Sequence, residues 1–186
     1  MSYTTDTSES NNVNINSVYD FKVKDIYGNI VSLEKYKGHV CIIVNVASQC
    51  GLTETNYDQL NYLYSRYGKS RGLRILAFPS NQFLSQEPGT DEDILNFVRS
   101  KGVQFDVFSK INVNGDDAHP LWKYLKSAQK GTFGDFIKWN FSKFIIDKNG
   151  RVVERYAPTT NPNDMVEDLE KYFDQEFGNV TDKNEL

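Results

Sequence analysis

The stretch Val40-Cys41-Ile42-Ile43-Val44-Asn45-Val46-Ala47-Ser48-Gln49-Cys50-Gly51-Leu52-Thr53 constrains this chain more than any other. Its apolar run has the length of one buried strand, and small and polar residues, a cysteine, a glycine and a helix-starting threonine follow at once. That pattern is a strand running out through a tight turn straight into a helix. Cys50 then lies at the helix N-terminus, where unpaired backbone N–H groups and the helix dipole stabilise negative charge. The thiolate is the reactive form of cysteine, so the position suits a nucleophile. A free cysteine is also often just a small buried residue, and the rest of the chain has to decide between the two.

Beyond Thr53, the residues Tyr57, Leu60, Leu63, Tyr64 and Tyr67 share one helical face. Leu73 to Phe78, closed by Pro79, is the next strand. Strand, helix and strand at this spacing make a βαβ unit with two parallel, adjacent strands. Upstream, Phe21 to Asp25 and Ile30 to Leu33 flank a Tyr27-Gly28-Asn29 turn and form a short hairpin, followed by a helical turn ending at Gly38. Downstream, Thr90 and Asp93 make a capping box for a helix that turns Ile94, Leu95, Phe97 and Val98 inward. Val103 to Phe108 reads as extended, and Pro120 opens a short helix to about Ser127. Asn149-Gly150 turns a hairpin between Phe141–Asp147 and Arg151–Tyr156. Pro162 opens a last amphipathic helix with Met165, Leu169, Tyr172, Phe173 and Phe177 inward.

A βαβ half followed by a ββα half is an α/β, thioredoxin-like arrangement: a central mixed sheet flanked by helices, with an N-terminal β-hairpin. Residues 18–178 are expected to form this domain. Residues 1–17, rich in Ser, Thr and Asn, are expected to be a disordered tail, and 179–186 a polar one.

Charge and cysteine content narrow the function. The 21 basic and 25 acidic residues leave a net charge of −4, which gives nucleic acid no basic surface to bind. No run approaches the length of a membrane span, and Met1 to Ser17 lacks the basic and apolar regions of a signal peptide. A cytoplasmic location is the expectation. The terminal Lys183-Asn184-Glu185-Leu186 resembles a degenerate ER-retention signal, which keeps an ER or secretory location as the lesser alternative. Two cysteines do not make a disulfide framework. Cys41, mid-strand among apolar neighbours, reads as packed core, which leaves Cys50 as the reactive candidate.

A reactive thiolate needs a partner that holds its charge. In cysteine hydrolases that partner is a histidine. His39 precedes the Cys50 strand and belongs at its opposite end, and His119 sits before Pro120 in a helix-start turn, where a capping or solvent-facing role fits better. No Cys/His cluster has metal-ligand spacing. Neutral donors are available instead: the loop Asn81-Gln82-Phe83-Leu84-Ser85-Gln86-Glu87-Pro88-Gly89 leaves the partner strand at the same sheet edge, and Trp139-Asn140-Phe141 opens the later hairpin. An indole N–H and carboxamides hydrogen-bond a thiolate without adding a full charge. On spacing alone, Trp139 is equally a core aromatic and the amides equally turn residues.

Three segments break that tie. Asn45 to Thr53, Leu76 to Phe83 with Gln86-Glu87-Pro88-Gly89, and Lys138 to Phe144 together resemble the glutathione peroxidase family. The likeness runs from about Val18 to Phe177, and Phe105 to Trp122 is most similar to the phospholipid-hydroperoxide branch. The resemblance implies reduction of hydrogen peroxide and of organic or phospholipid hydroperoxides at a cysteine or selenocysteine. Cys50 would be the peroxidatic residue, with Gln86, Trp139 and Asn140 completing its tetrad and Gln82 outside it. No cofactor or metal is implied, only glutathione as co-substrate. The chain also reads like the selenocysteine branch, which leaves selenium at position 50 open.

Two departures from the family pattern matter. Members that use thioredoxin carry a resolving cysteine in the helix after the Gln-Glu-Pro-Gly loop, but Asn96 to Lys101 has none, and Ser80 and Asn112 stand where some relatives have cysteine. An external thiol, most simply glutathione, is therefore expected. The alternatives are a thioredoxin-dependent peroxidase and a peroxide-sensing relay to a partner protein. The chain is also acidic where the phospholipid branch is often basic, although Lys138, Lys143, Arg151 and Arg155 are expected to form a local basic rim for transient contact with a membrane surface. The short segment from Gly115 to Trp139 implies a monomer with an open site that admits bulky lipid hydroperoxides.

Overall fold

A computed structural model describes residues 15–178. The expected tails, up to residue 14 and from residue 179 on, lie outside the described residues, and so does the Lys183–Leu186 motif. A small antiparallel pair comes first, β1 (Lys22–Lys24) with β2 (Ile30–Ser32). The central sheet is built from β3 (Cys41–Val46), β4 (Arg74–Pro79), β5 (Asp106–Val107), β6 (Lys143–Ile146) and β7 (Val152–Tyr156). Its spatial order is β5-β4-β3-β6-β7. The β3–β4 and β4–β5 pairs are parallel, and β3–β6 and β6–β7 are antiparallel. The helices are α1 (Thr53–Tyr67), α2 (Asp91–Ser100), α3 (Pro120–Ala128) and α4 (Val166–Phe173).

β3 is buried at every position, as a strand covered on both faces must be. Its side chains alternate between two cores. Ile42, Val44 and Val46 join Tyr57, Leu60 and Leu63 of α1, Ile94 of α2 and Leu169 of α4. Cys41 and Ile43 join Leu121, Trp122 and Leu125 of α3 and the N-terminal hairpin. In the second core Phe78 stacks on Phe108 with centroids 4.6 Å apart, and Trp122 meets Phe78 and Phe144 edge-on. Cys41 is core, as its neighbours predict, and burial pushes its thiol up.

Local chemistry sets the element ends. Thr90 and Asp93 form the expected capping box, the Thr90 side chain taking the Asp93 N–H while the Asp93 carboxylate takes the Thr90 N–H at 2.8 Å. Pro120 stands at the start of α3, and His119 Nδ1 caps it by accepting from the Leu121 N–H at 3.1 Å. In the Asn149-Gly150 turn Gly150 has φ +81°, and an added Cβ would lie 2.7 Å from the Tyr19 ring, so glycine is required on both counts.

The extended stretch over 103–108 holds the short strand β5, and Phe108 adds an isolated antiparallel bridge to Asp25. Two expectations need correction. The last helix begins as a 3-10 turn over Pro162–Met165, and α4 ends at Phe173, so the chain has left the helical course before Phe177, which is exposed. Lys143 belongs to no basic rim. It lies inside the sheet between Val44 of β3 and Tyr156 of β7, wholly buried, and its Nζ donates to the carbonyls of Thr160 at 2.6 Å and Pro158 at 3.2 Å.

Burial pushes the Lys143 amine down to about 8, with Asp164 opposing the shift. A neutral amine keeps two N–H donors for the two carbonyls. Below this value both folded and unfolded chains hold the proton. Between about pH 8 and the ordinary lysine value near 10.4, the unfolded chain holds the proton and the folded chain has released it, so the Lys143 contribution to stability rises with pH across that window. The expected NMR result is a Lys143 side-chain titration centred near pH 8, about two units below the exposed lysines; a titration coincident with theirs would contradict the burial argument.

Candidate active site

Parallel pairing of β3 and β4 brings their C-terminal ends to one edge, with Val46 opposite Pro79. The antiparallel β6 enters from that same edge, because its first residue, Lys143, lies opposite Val44. Three segments therefore converge there: the turn after β3, the loop after β4 and the segment before β6.

The turn after β3 carries Cys50, which is half-buried. Thr53 shapes it. Its hydroxyl donates to the Ala47 carbonyl at 2.8 Å and accepts from the Cys50 N–H at 3.1 Å, while the Thr53 N–H returns to the Cys50 carbonyl at 3.0 Å. Cys50 Sγ accepts from the Leu52 N–H at 3.4 Å, a free donor at the start of α1.

The loop after β4 is fastened to that turn. The Gln49 N–H donates to the Gln86 carbonyl at 3.0 Å, so Gln86 sits beside the residue that precedes Cys50. Leu84 and Ser85 reach Gln86 through left-handed backbone, φ +50° and +52°. Gln82, in the same loop, faces elsewhere. Its amide accepts from the Val113 and Asn114 N–H groups at 2.7 and 3.0 Å and donates to the Asn114 carbonyl at 2.9 Å, a structural bracket.

The segment before β6 supplies Trp139 and Asn140. Asn140 is fully buried and its Nδ2 donates to Gln86 Oε1 at 2.8 Å. That bond commits the Gln86 carbonyl oxygen and leaves its NH2 group as a donor for something else. Asn140 Oδ1 is buried without a hydrogen-bond partner among the described residues. The half-buried Trp139 ring packs at 5.7 Å from Phe83 of the Gln86 loop. The structure thus joins Gln86 and Asn140 directly, sets Trp139 on the same loop, and ties that loop to the Cys50 turn.

Several residues that position these groups carry no role in the sequence reading. Asn45 donates to the Trp139 carbonyl at 3.1 Å and accepts from the Ser142 N–H at 3.0 Å. A carboxamide between Val44 and Val46 in an apolar strand was the available signal. Glu87 is 1 % exposed, with Oε1 2.6 Å from Ser48 Oγ. Burial pushes its carboxyl up, against the pull of Ser48 and Lys110. Nothing in the local sequence marks that burial.

Among the described residues no histidine bonds to Cys50. His39 lies before β3, at the strand's other end, with Nδ1 2.7 Å from the Gly72 carbonyl, and His119 caps α3. The described residues hold no group of three or more His, Cys, Asp or Glu placed for a metal ion. Lys130, Lys138 and Arg155 border a cavity of about 90 Å³ with Ser142 and Tyr156. Of the expected rim, Arg155 is engaged by the carbonyls of Gln129, Asp135 and Phe136, and Arg151 by Asp147.

A cysteine at the strand-to-helix turn of this mixed sheet defines a thiol protein of thioredoxin-like fold. A family model described as glutathione peroxidase matches residues 18–126, and the chain belongs to the glutathione peroxidase family. It is 58% identical over 156 residues to a Nicotiana sylvestris protein named "probable phospholipid hydroperoxide glutathione peroxidase", covering 83% of this chain and 92% of that one. The crystal structure of an apo protein designated Trgpx superposes with TM-score 0.73 at 41% identity, covering 86% of this chain and 97% of the other. A thioredoxin-family thiol:disulfide interchange protein from Chlorobium tepidum superposes with TM-score 0.63 at 17% identity, over 82% and 92% of the two chains, a likeness of fold alone.

Asn45→Ala strands the Ser142 N–H and weakens the hold on the Trp139 carbonyl, which keeps only the Ser142 hydroxyl at 3.3 Å. Buried orphaned groups cost about 1–3 kcal/mol each. Chemical denaturation of this variant is expected to show a stability loss of about 3 kcal/mol. A loss below about 1 kcal/mol would mean that the clamp does not hold the segment.

Proposed function

We propose that this chain is a thiol-dependent peroxidase that reduces hydrogen peroxide and organic or phospholipid hydroperoxides at Cys50, with glutathione as the reductant. The observation that carries the reading is the 2.8 Å bond from Asn140 to Gln86, which leaves the Gln86 NH2 as a free donor in a loop fastened to the Cys50 turn. With the Trp139 indole N–H and the Leu52 N–H, it supplies neutral donors that hold charge on sulfur and on the oxygen leaving it. Family membership and the name of the Nicotiana relative support peroxide chemistry and a lipid hydroperoxide substrate.

The chemistry then runs in three steps. The Cys50 thiolate attacks the distal peroxide oxygen, the O–O bond breaks, and a sulfenic acid and an alkoxide or hydroxide form; the latter takes up a proton. One glutathione thiol condenses with the sulfenic acid to a mixed disulfide and water. A second displaces Cys50 as thiolate and releases oxidised glutathione and a proton.

Glutathione is favoured over an internal route by the position of Cys41, the chain's other cysteine. It opens β3, and Cys50 lies beyond that strand's far end, with about 16 Å of extended chain between Cys41 and Val46 alone. A disulfide requires Cα atoms within about 7 Å. The cations around the cavity beside Ser142 suit a reductant that carries carboxylates. The compact segment before β6 is consistent with action as a monomer with an open site.

Stopped-flow reduction of hydrogen peroxide and a phospholipid hydroperoxide tests the reading. Cys50→Ala is expected to abolish peroxide consumption, and Gln86→Ala and Trp139→Phe each to slow oxidation of Cys50 by about tenfold or more. Without added thiol, one equivalent of peroxide is expected to be consumed, with a sulfenic acid trapped at Cys50. Full activity in the Cys50 variant would end the proposal, and unchanged oxidation rates in the other two would remove their assignment. Replacing glutathione by thioredoxin is expected to slow turnover; faster turnover would favour the thioredoxin-dependent alternative.

A further inference from the structure

We propose that Glu87 and Ser48 form a proton relay that delivers a proton to the leaving oxygen when Cys50 reduces a hydroperoxide, a step that rests on the peroxidase reading above. Attack by the thiolate leaves an alkoxide, a poor leaving group unless a proton reaches it as the O–O bond breaks. The donors around Cys50 are amides and an indole, which hydrogen-bond charge but do not give up a proton near neutral pH. An acid has to stand behind them.

Glu87 follows Gln86 directly and is 1 % exposed. Among the described residues its carboxyl forms no ion pair. Lys110, the nearest cation named to it, donates its Nζ to the backbone carbonyls of Glu87 at 3.1 Å and Gly89 at 2.5 Å, not to the carboxylate. Glu87 Oε2 is buried with no hydrogen-bond partner among the described residues. A lone ionised carboxylate in that setting is costly, whereas a neutral acid is tolerated.

Glu87 Oε1 lies 2.6 Å from Ser48 Oγ, and Ser48 precedes Cys50 by two residues in the same turn. Ser48 and Cys50 are both half-buried, and in the relay the Ser48 hydroxyl, which donates to Glu87 at rest, turns to hand its proton to the oxygen leaving at Cys50. The relay balances as a double transfer. The Ser48 O–H bond breaks as its proton goes to the alkoxide, and the Glu87 O–H bond breaks as its proton goes to Ser48 Oγ. The products are the alcohol, an intact Ser48 and a Glu87 carboxylate. The proton released with oxidised glutathione restores Glu87, so the cycle closes with no further reactant.

The groups that face Glu87 are few. Ser48 comes from the turn after β3. Tyr57 comes from α1, its hydroxyl buried without a partner among the described residues and its ionisation opposed by burial and by Glu87. Lys110 comes from the segment after β5, where Asp91 at the start of α2 holds its N–H at 2.9 Å. Burial raises the Glu87 carboxyl, and only Ser48 and Lys110 oppose it.

The test compares tert-butyl hydroperoxide, which leaves as an alkoxide and needs the proton, with peracetic acid, which leaves as acetate and does not. For Glu87→Gln and, separately, Ser48→Ala, the rate of Cys50 oxidation by tert-butyl hydroperoxide is expected to fall about 10²-fold, the scale of a lost general acid. The rate with peracetic acid is expected to stay near that of the unaltered protein, and the double variant to lose no more than either single one. The unaltered protein is further expected to show a limb that falls with rising pH for the alkyl hydroperoxide, absent in Glu87→Gln. Equal losses on both oxidants, or no loss on the alkyl hydroperoxide, would overturn the relay and leave the peroxidase reading standing. If the unaltered protein reduces neither oxidant, the peroxidase reading fails and the relay falls with it.

Discussion

Asn45 is a carboxamide inside an apolar strand, and both ends of its side chain are committed to the segment that carries Trp139 and Asn140. Its own carbonyl adds a third tie, accepting from the Phe141 N–H at 2.7 Å. These bonds hold Phe141 at φ +65°, a region that costs a bulky residue about 1–3 kcal/mol and persists only where the surroundings over-determine it. The strain is local to the site. Leu84 and Ser85, the other non-glycine residues with positive φ among the described residues, stand immediately before Gln86. The two segments that meet in the Gln86–Asn140 bond are therefore each bent by backbone that would relax if released. β3 supplies the fixed reference for both, with Asn45 on one side and the Gln49 N–H, just past the strand, on the other.

That arrangement explains a site built without a charged partner for sulfur. An ammonium or imidazolium beside Cys50 would stabilise the thiolate, but it would hold sulfur's charge back as that charge passes to the leaving oxygen. Dipoles aimed at the region serve both ends of the reaction because they favour negative charge wherever it sits within their reach. The cations near this edge are kept off the sulfur by other bonds: Lys143 by two carbonyls, Arg155 by three, and Lys110 by two. Each of these side chains stitches a loop, and among the described residues none bonds to Cys50.

Much of this was legible in the residues, for reasons that differ by element. β3, α1 and β4 follow from periodicity and capping alone, because burial on both faces of a strand and one face of a helix leaves a strong pattern. The parallel pairing follows from the spacing, and with it the convergence of the loop after β4 on Cys50. The Asn149-Gly150 hairpin is equally direct, since left-handed backbone there demands a glycine. Lys143 was misread because a lysine in a hairpin strand normally points to solvent, and only the sheet order reveals β3 on its other side. Phe177 was misread because helical spacing continues on paper after α4 has ended. Asn45 is marked only as a carboxamide in an apolar strand, and Glu87 carries no local signal of its role. What each does depends on a bond to a residue 94 and 39 positions away, and single-sequence patterns hold no such information.

The burial of Glu87 is the least expected feature, and it follows from the same geometry. The Gln49–Gln86 backbone bond fastens the loop after β4 to the turn after β3, and Ser48 with Glu87 adds a side-chain link beside it. Glutamine would bridge as well by hydrogen bonding, without the cost of a carboxyl in the interior. A carboxyl has one property an amide lacks, which is a proton it can release and recover. Its burial behind a hydroxyl, with Lys110 Nζ bonded to backbone carbonyls and not to the carboxylate, disfavours the charged form of the acid. An alkoxide formed at the mouth of the site is a base that can take that proton. The structural bridge and the source of the proton are then one interaction, and the loop that positions Gln86 also carries the acid that completes the reduction.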